Sequence, residues 1–196
     1  MHQKEGGIGV NTQTHMPVTI AMSQESTNNP NNEPAMTIYL NPAPYPKVSK
    51  GSDPATVKLL KEDYAGAVSE LTAIMQYIYQ NTLSTNDESF ANGVLQVALV
   101  EMSHLDMLGD AILALGGNPT FGDGRVYWHG NLVNYARTLR EMLMANIQSE
   151  SEAIDNYERH AAMTTNTEVR SLLERIAEDE RLHLRFFTEL LEKLNS

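Results

Sequence analysis

The sequence of 196 residues contains no cysteine. That absence removes a catalytic thiol, a zinc–thiolate site, a cysteine-ligated iron–sulfur cluster and a disulfide scaffold together. A metal in this chain has to be held by Glu, Asp and His. No stretch nears the roughly 18 apolar residues of a membrane span, and no basic segment followed by an apolar run opens the chain. A cytoplasmic location with no membrane partner is the expectation. Positive charge is also scarce, with 14 Lys and Arg against 25 Asp and Glu, a formal charge of -11. Without clustered Lys and Arg, nucleic acid and anionic lipid surfaces are excluded as partners. Aromatic residues are few at 7%, whereas Ala, Leu and Met are plentiful in a chain that is 41% hydrophobic. This balance favours an all-α fold with a real core.

Residues 1–53 read as an arm. They hold most of the eight prolines, and Asn, Thr and Gln dominate between them. Such composition cannot bury enough apolar surface to order itself, so this arm is expected to be partly disordered. Its later part, with ThrIleTyrLeu at 37–40 between prolines, suits an extended segment. We expect residues 35–50 to dock on a neighbouring subunit, with docking on the chain's own bundle as the alternative. The arm carries three bases and four acids, so the acid is concentrated in residues 54–196.

Those residues read as four long helices. Ser52-Asp53-Pro54 is a helix start, and Leu60, Tyr64, Ala67, Leu71, Ile74 and Ile78 follow at steps of three and four. A polar break at 84–87 precedes a second helix over about 88–115, with Val94, Ala98, Leu105, Leu108, Ile112 and Leu115 on one stripe. Gly116-Gly117-Asn118-Pro119 stops it. After a connection of roughly 17 residues, a third helix is expected from near Leu132, with Leu143, Ile147, Ile154 and Ala161 on its apolar line. A break at 164–167 leads to a fourth helix ending near Lys193. Two hairpins joined by a longer crossover make a four-helix bundle.

Ionisable residues fall on the apolar stripes. Glu70 lies on the first helix and Glu150 on the third. Glu101 with His104, and Glu180 with His183, each put Glu-x-x-His on one helix face. Four glutamates and two histidines therefore face one core. Buried carboxylates cost several kcal/mol each when unpaired, so two divalent cations are expected to balance the four charges. Position along the hairpins agrees. Glu70 and Glu101 are centred on Thr85-Asn86, and Glu150 and Glu180 on Thr165, inside the two breaks. Antiparallel helices then bring both pairs level.

Glu-x6-Tyr recurs as Glu70 with Tyr77 and Glu150 with Tyr157. A buried phenol needs a partner, and a ligand carboxylate would supply it. Asp179 is placed to hold the free ring nitrogen of His104, with a solvated acid as the alternative. Its counterpart before Glu101 is Val100, so the repeat fails there. His2, His15, His129 and His160 lie off the stripes and read as surface residues.

With these motifs the chain resembles the ferritin-like di-metal carboxylate superfamily, one Glu from each of two helices and Glu-x-x-His from each of the others. The stretch from Tyr45 to Gln80, with Glu101-Met-Ser-His104 and Glu180-Arg-Leu-His183, is similar to manganese catalases and catalase-like spore-coat proteins. That likeness implies a ferritin-like four-helix bundle, two Mn or Fe ions on Glu70, Glu101, His104, Glu150, Glu180 and His183, and disposal of hydrogen peroxide by a homo-oligomer. One of the glutamates Glu101 and Glu180 would bridge, and the other would bridge or act as acid/base. Two departures matter: manganese catalases have a longer link between the two hairpins, and often a basic residue where this chain has Ser149. Glu101-Met-Ser-His104 also resembles bacterioferritin, whose Met can ligate haem. Met102 reads as a packing residue, and no haem is expected. Oxidation of Fe(II) by oxygen or peroxide is the alternative activity, and a coat or assembly protein, with a spore-coat location, is the third reading.

Overall fold

A computed structural model describes residues 39–84 and 87–196. Most of the arm, His2 and His15, the residues at 37–38 and the hairpin midpoint Thr85-Asn86 lie outside the described residues. Five α-helices form the body: α1 Pro54–Ala65, α2 Glu70–Leu83, α3 Glu88–Ala114, α4 Leu139–Met163 and α5 Thr167–Asn195. Among the described residues there is no strand, only an isolated bridge between Gly122 and Tyr127. The pairs α2/α3 and α4/α5 pack as hairpins, while α1 packs on α3 and α4. The result is an all-helical four-helix bundle.

Its first helix is divided, where the apolar spacing predicts one continuous helix. Gly66 closes α1 by donating its N–H to Glu62 O, and Ser69 opens α2 by accepting from the Thr72 N–H. The Ser69 hydroxyl also donates to Gly66 O at 2.8 Å. Ala67 falls in the break and is exposed, and Ile78 is exposed as well, so neither joins the core stripe. The third bundle helix, α4, starts at Leu139 and not near Leu132. Thr138 and Glu141 form a capping box there, which fixes the start more firmly than the preceding apolar residues do. The longer crossover, 115–138, lies across α2, with Trp128 Nε1 donating to Thr72 Oγ1 and the Asn134 N–H to Gln76 Oε1.

The core comes in two apolar clusters. One gathers Leu60, Leu108, Ile112, Leu173 and Ile176; the other gathers Tyr77, Phe90, Val94, Leu143 and Phe187. Along every bundle helix, the inward-facing Glu and His residues lie between the two. A polar layer therefore crosses the bundle at mid-height, closed by hydrocarbon above and below.

Residues 39–51 pack against this chain's own bundle, the arrangement given above as the alternative for the arm. The Ser49 N–H and hydroxyl both donate to Glu168, and the Gly51 N–H donates to Ala114 O. Arg175 donates to the carbonyls of Asn41 and Ala43. The physical reason is polar: the bundle offers Arg175, Asp179 and Glu168 to backbone groups that would otherwise lack partners.

Candidate metal centre

Each of the six predicted ligand residues is buried, at 3% exposure or less. Their atoms converge as two groups of four, in each of which one ligand atom per residue lies within 4.8 Å of the others. Glu70, Glu101, His104 and Glu180 form the first; Glu101, Glu150, Glu180 and His183 form the second. Glu101 and Glu180 belong to both. His104 Nδ1 stands 3.0 Å from Glu101 Oε2, 3.1 Å from Glu180 Oε1 and 3.6 Å from Glu70 Oε2. His183 Nδ1 stands 3.1 Å from Glu101 Oε1, 3.1 Å from Glu180 Oε2 and 3.8 Å from Glu150 Oε2. Each of the two shared carboxylates thus turns one oxygen toward each group.

The far side of each imidazole explains which nitrogen faces inward. His104 Nε2 is 3.1 Å from Asp179 Oδ2, and His183 Nε2 is 2.9 Å from Tyr39 O. A carboxylate and a carbonyl only accept, so both Nε2 atoms carry hydrogen and Nδ1 is the nitrogen each ring turns to the layer, able to ligate an ion by its lone pair or, protonated, to donate to the carboxylates. Asp179 is itself buried, bound by Arg175 at 2.8 Å, by the Tyr45 hydroxyl and by the Asn41 N–H. It is not a solvated acid. Tyr39 supplies for His183 what Val100 cannot. Tyr77 donates to Glu150, and Tyr157 to Glu70, so each phenol reaches the glutamate of the opposite hairpin.

Three carboxylate oxygens of the layer, Glu70 Oε2, Glu101 Oε1 and Glu180 Oε1, have no hydrogen-bond partner although they are buried. Orphaned oxygens gathered around imidazole nitrogens are what a cation-binding layer looks like from the protein side, and oxygen with imidazole nitrogen is a donor set for Mn or Fe. The residues present fit two such ions. Protons take the charge otherwise. Burial disfavours ionised His104 and His183, yet the surrounding carboxylates outweigh it and raise both well above the usual imidazole range. Burial, then the charge of Glu101, raises Glu70 and Glu150. Burial also works against ionised Glu101 and Glu180, but the two imidazoles hold both below the usual carboxylate range.

A cavity of about 20 Å³ reaches this layer between α2 and α4, lined by Val68, Ser69, Glu70, Glu101, Glu150 and Glu180 among others. It has room for one water-sized molecule. Val68 and Ser69, from the break at 66–69, are part of its lining.

Two sequence readings need correction. His160 is fully buried, with Nδ1 2.8 Å from Asp63, because α1 turns Asp63 inward to meet it. Met102 is 37% exposed: Glu101 and His104 point inward, so position 102 faces out and does not pack in the core of this chain. His129 is exposed. The residues that sequence reasoning missed are Tyr39, Tyr45 and Arg175, for which periodicity carries no signal in the arm and only a marginal one on α5.

The comparisons agree with this architecture. The chain is 26% identical over 166 residues to a probable manganese catalase of Clostridium acetobutylicum, covering 74% of this chain and 73% of that one. It is 30% identical over 150 residues to a bacterioferritin of Streptomyces coelicolor, covering 72% and 84%. Among solved structures, the manganese catalase KatB from Anabaena PCC7120 superposes with a TM-score of 0.72 at 23% identity, covering 80% of this chain and 79% of that one. Bacterioferritin BfrA of Mycobacterium tuberculosis gives 0.64 at 27%, covering 74% and 89%. The ferritin-like domain model matches residues 58–196, and on that extent the chain belongs to the ferritin-like domain family.

Proposed function

We propose that the layer holds two divalent ions, manganese or iron, and that the protein disposes of hydrogen peroxide there. Glu70, Glu101, His104 and Glu180 would hold one ion, and Glu101, Glu150, Glu180 and His183 the other. The observation that carries this reading is the division of Glu101 and Glu180 between the two groups. Carboxylates that turn one oxygen each way suit a pair of ions at the roughly 3.5–4 Å spacing of two-metal sites. When bound, two ions that change valence would accept the two electrons released as peroxide is oxidised to oxygen and return two as peroxide is reduced to water.

The protein's own residues do the rest. Tyr77 and Tyr157 fix the terminal carboxylates of Glu150 and Glu70, and Asp179 and Tyr39 O fix the rings of His104 and His183. The two apolar clusters keep bulk water from the layer. The cavity admits a molecule of peroxide size and sets it against Glu101 and Glu180, the carboxylates placed to take or return its proton. Copies of the chain are proposed to associate, because Met75, Ile78, Leu95 and Met102 leave apolar surface on α2 and α3.

Oxidation of Fe(II) is the second reading, supported by the likeness to the bacterioferritin of Streptomyces coelicolor. Elemental analysis of protein purified without added metal, followed by oxygen evolution from peroxide and Fe(II) oxidation on the same sample, tests both. Oxygen evolution by the Mn-loaded form supports the first, and Fe(II) oxidation without it supports the second. Two bound ions with neither activity would overturn both in favour of a structural site.

A further inference from the structure

Outside the six-residue layer, one buried titratable group is left incomplete by its packing. His160 on α4 is fully buried, and its Nδ1 stands 2.8 Å from both carboxylate oxygens of Asp63 on α1. Because a carboxylate only accepts, Nδ1 carries the hydrogen, and Nε2 is the ring nitrogen left to present a lone pair. That nitrogen is sealed from solvent yet has no hydrogen-bond partner. Facing it is Glu62 Oε2 at 3.5 Å, on a side chain that is 36% exposed. Two lone pairs this close repel unless a cation lies between them or Nε2 takes a proton and pairs with the carboxylate. The missing hydrogen bond leaves the nitrogen open to a metal cation.

A carboxylate that receives one ring N–H is also the usual means of orienting an imidazole toward a metal. The distance fits as well. Two donors 3.5 Å apart, each about 2.1 Å from one ion, subtend about 113° at it, close to the tetrahedral angle. We infer that Glu62 and His160, oriented by Asp63, form a third divalent-cation site beside the cavity, separate from the central layer. Imidazole with carboxylate favours a borderline ion such as Fe(II), Co(II) or Zn(II) over Mg(II) or Ca(II). With two protein ligands, water fills the remaining positions, so binding is weak and reversible. Asp63 also lines the cavity that ends on Glu70, Glu101 and Glu180. The site is therefore placed to capture an ion and pass it inward, a role that rests on the two-metal reading of the centre. The site itself does not depend on that reading.

The test is titration of the chelator-stripped full chain with Co(II), counting bound ions per chain. The wild type should bind three. Glu62→Gln and His160→Gln should each bind two, having lost the weakest. A Glu101→Ala/Glu180→Ala variant should retain one ion, which disappears when Glu62→Gln is added. Glu62→Gln is an isosteric change on a half-exposed side chain, so circular dichroism should show unchanged helicity even where His160→Gln fails to fold. An unchanged count in Glu62→Gln, or no ion bound by the double variant, overturns the site. If the centre holds no metal, the wild type binds a single ion that still leaves with Glu62→Gln; the reading of the centre then falls and this site stands. With Co(II) limiting, Glu62→Gln should fill the centre several-fold more slowly, and equal rates overturn the capture role.

Discussion

The backbone carbonyl of Tyr39 accepts a hydrogen bond from His183 Nε2 at 2.9 Å. Six residues later the Tyr45 hydroxyl donates to Asp179, the residue that holds His104 Nε2. One short stretch before the bundle thus steadies both imidazoles, one directly and one through a carboxylate. Such outer partners typically change metal affinity by about 10–100-fold when removed. Asp179→Asn should weaken metal binding by about tenfold or more, and Tyr45→Phe by less, because Arg175 still holds Asp179. Competition titration against a chelator of known affinity measures both, and equal affinities in all three proteins would show that the arm does not support the centre.

Removal of a ligand has a larger effect. Glu101→Ala deletes a carboxylate shared by both groups, whereas His183→Ala deletes a member of one. Glu101→Ala should therefore impair binding of both ions, and His183→Ala chiefly of one, as counted by elemental analysis. Full occupancy in either variant would contradict the ligand assignment.

Stability should follow occupancy, because an ion that binds only the folded chain adds to its folding free energy. At a hundredfold excess over Kd each ion contributes about 2.7 kcal/mol, or roughly 5–10 °C in Tm for a chain of this length. Calorimetry with and without chelator reads this directly, and a Tm indifferent to chelator would argue against an internal site.

The centre was legible in the sequence because helical spacing projects distant residues onto one face. Glu70, Glu101, Glu150 and Glu180 interrupt apolar stripes at matching distances from the two breaks, and periodicity alone brings them level. Residues placed by tertiary packing were not legible. The spacing ran through Ala67 as if the first helix were continuous, since Gly66 and Ser69 make a break that only their cap hydrogen bonds reveal. His160 neighbours Tyr157 and Ala161 at the edge of the α4 stripe, where one inward-turned acid on another helix decides whether it is buried. Tyr39 and Tyr45 lie in irregular chain, where no period exists to read.

The two tyrosines offer a test inside the layer. Tyr77 and Tyr157 are buried and donate to Glu150 and Glu70 across the hairpins. Each phenylalanine replacement keeps the ring and removes one hydrogen bond to a carboxylate, a loss of about 1–3 kcal/mol. The carboxylate, freed of its donor, should also ligate with less positional control. Lower denaturation midpoints and weaker metal binding in both variants are the expected outcome. A stability loss with unchanged affinity would confine the tyrosines to packing.

The last prediction concerns protons. In the metal-free layer His104 and His183 are held protonated by surrounding carboxylates, and Glu70 and Glu150 are kept neutral by burial and the charge of Glu101. Glu101 and Glu180 stay ionised beside the imidazoles. Two imidazoliums against two carboxylates leave the layer neutral, and two divalent ions against four carboxylates do so again. Loading both ions should therefore expel about four protons per chain near neutral pH, two from histidines and two from glutamates. The sign for stability follows from linkage. A histidine raised in the folded state stabilises below its unfolded pKa, and that stability is lost as pH rises through the folded value. A glutamate kept neutral by burial destabilises progressively once pH exceeds its unfolded pKa of about 4.3. Both act in one direction, so the apo protein should lose stability as pH rises above about 6.5, the unfolded histidine value, while the stabilisation gained on adding metal grows over the same range. Proton release into weakly buffered solution and paired melting curves measure these effects. Release of no protons, or an apo protein that grows more stable with rising pH, would contradict the charge assignment of the layer.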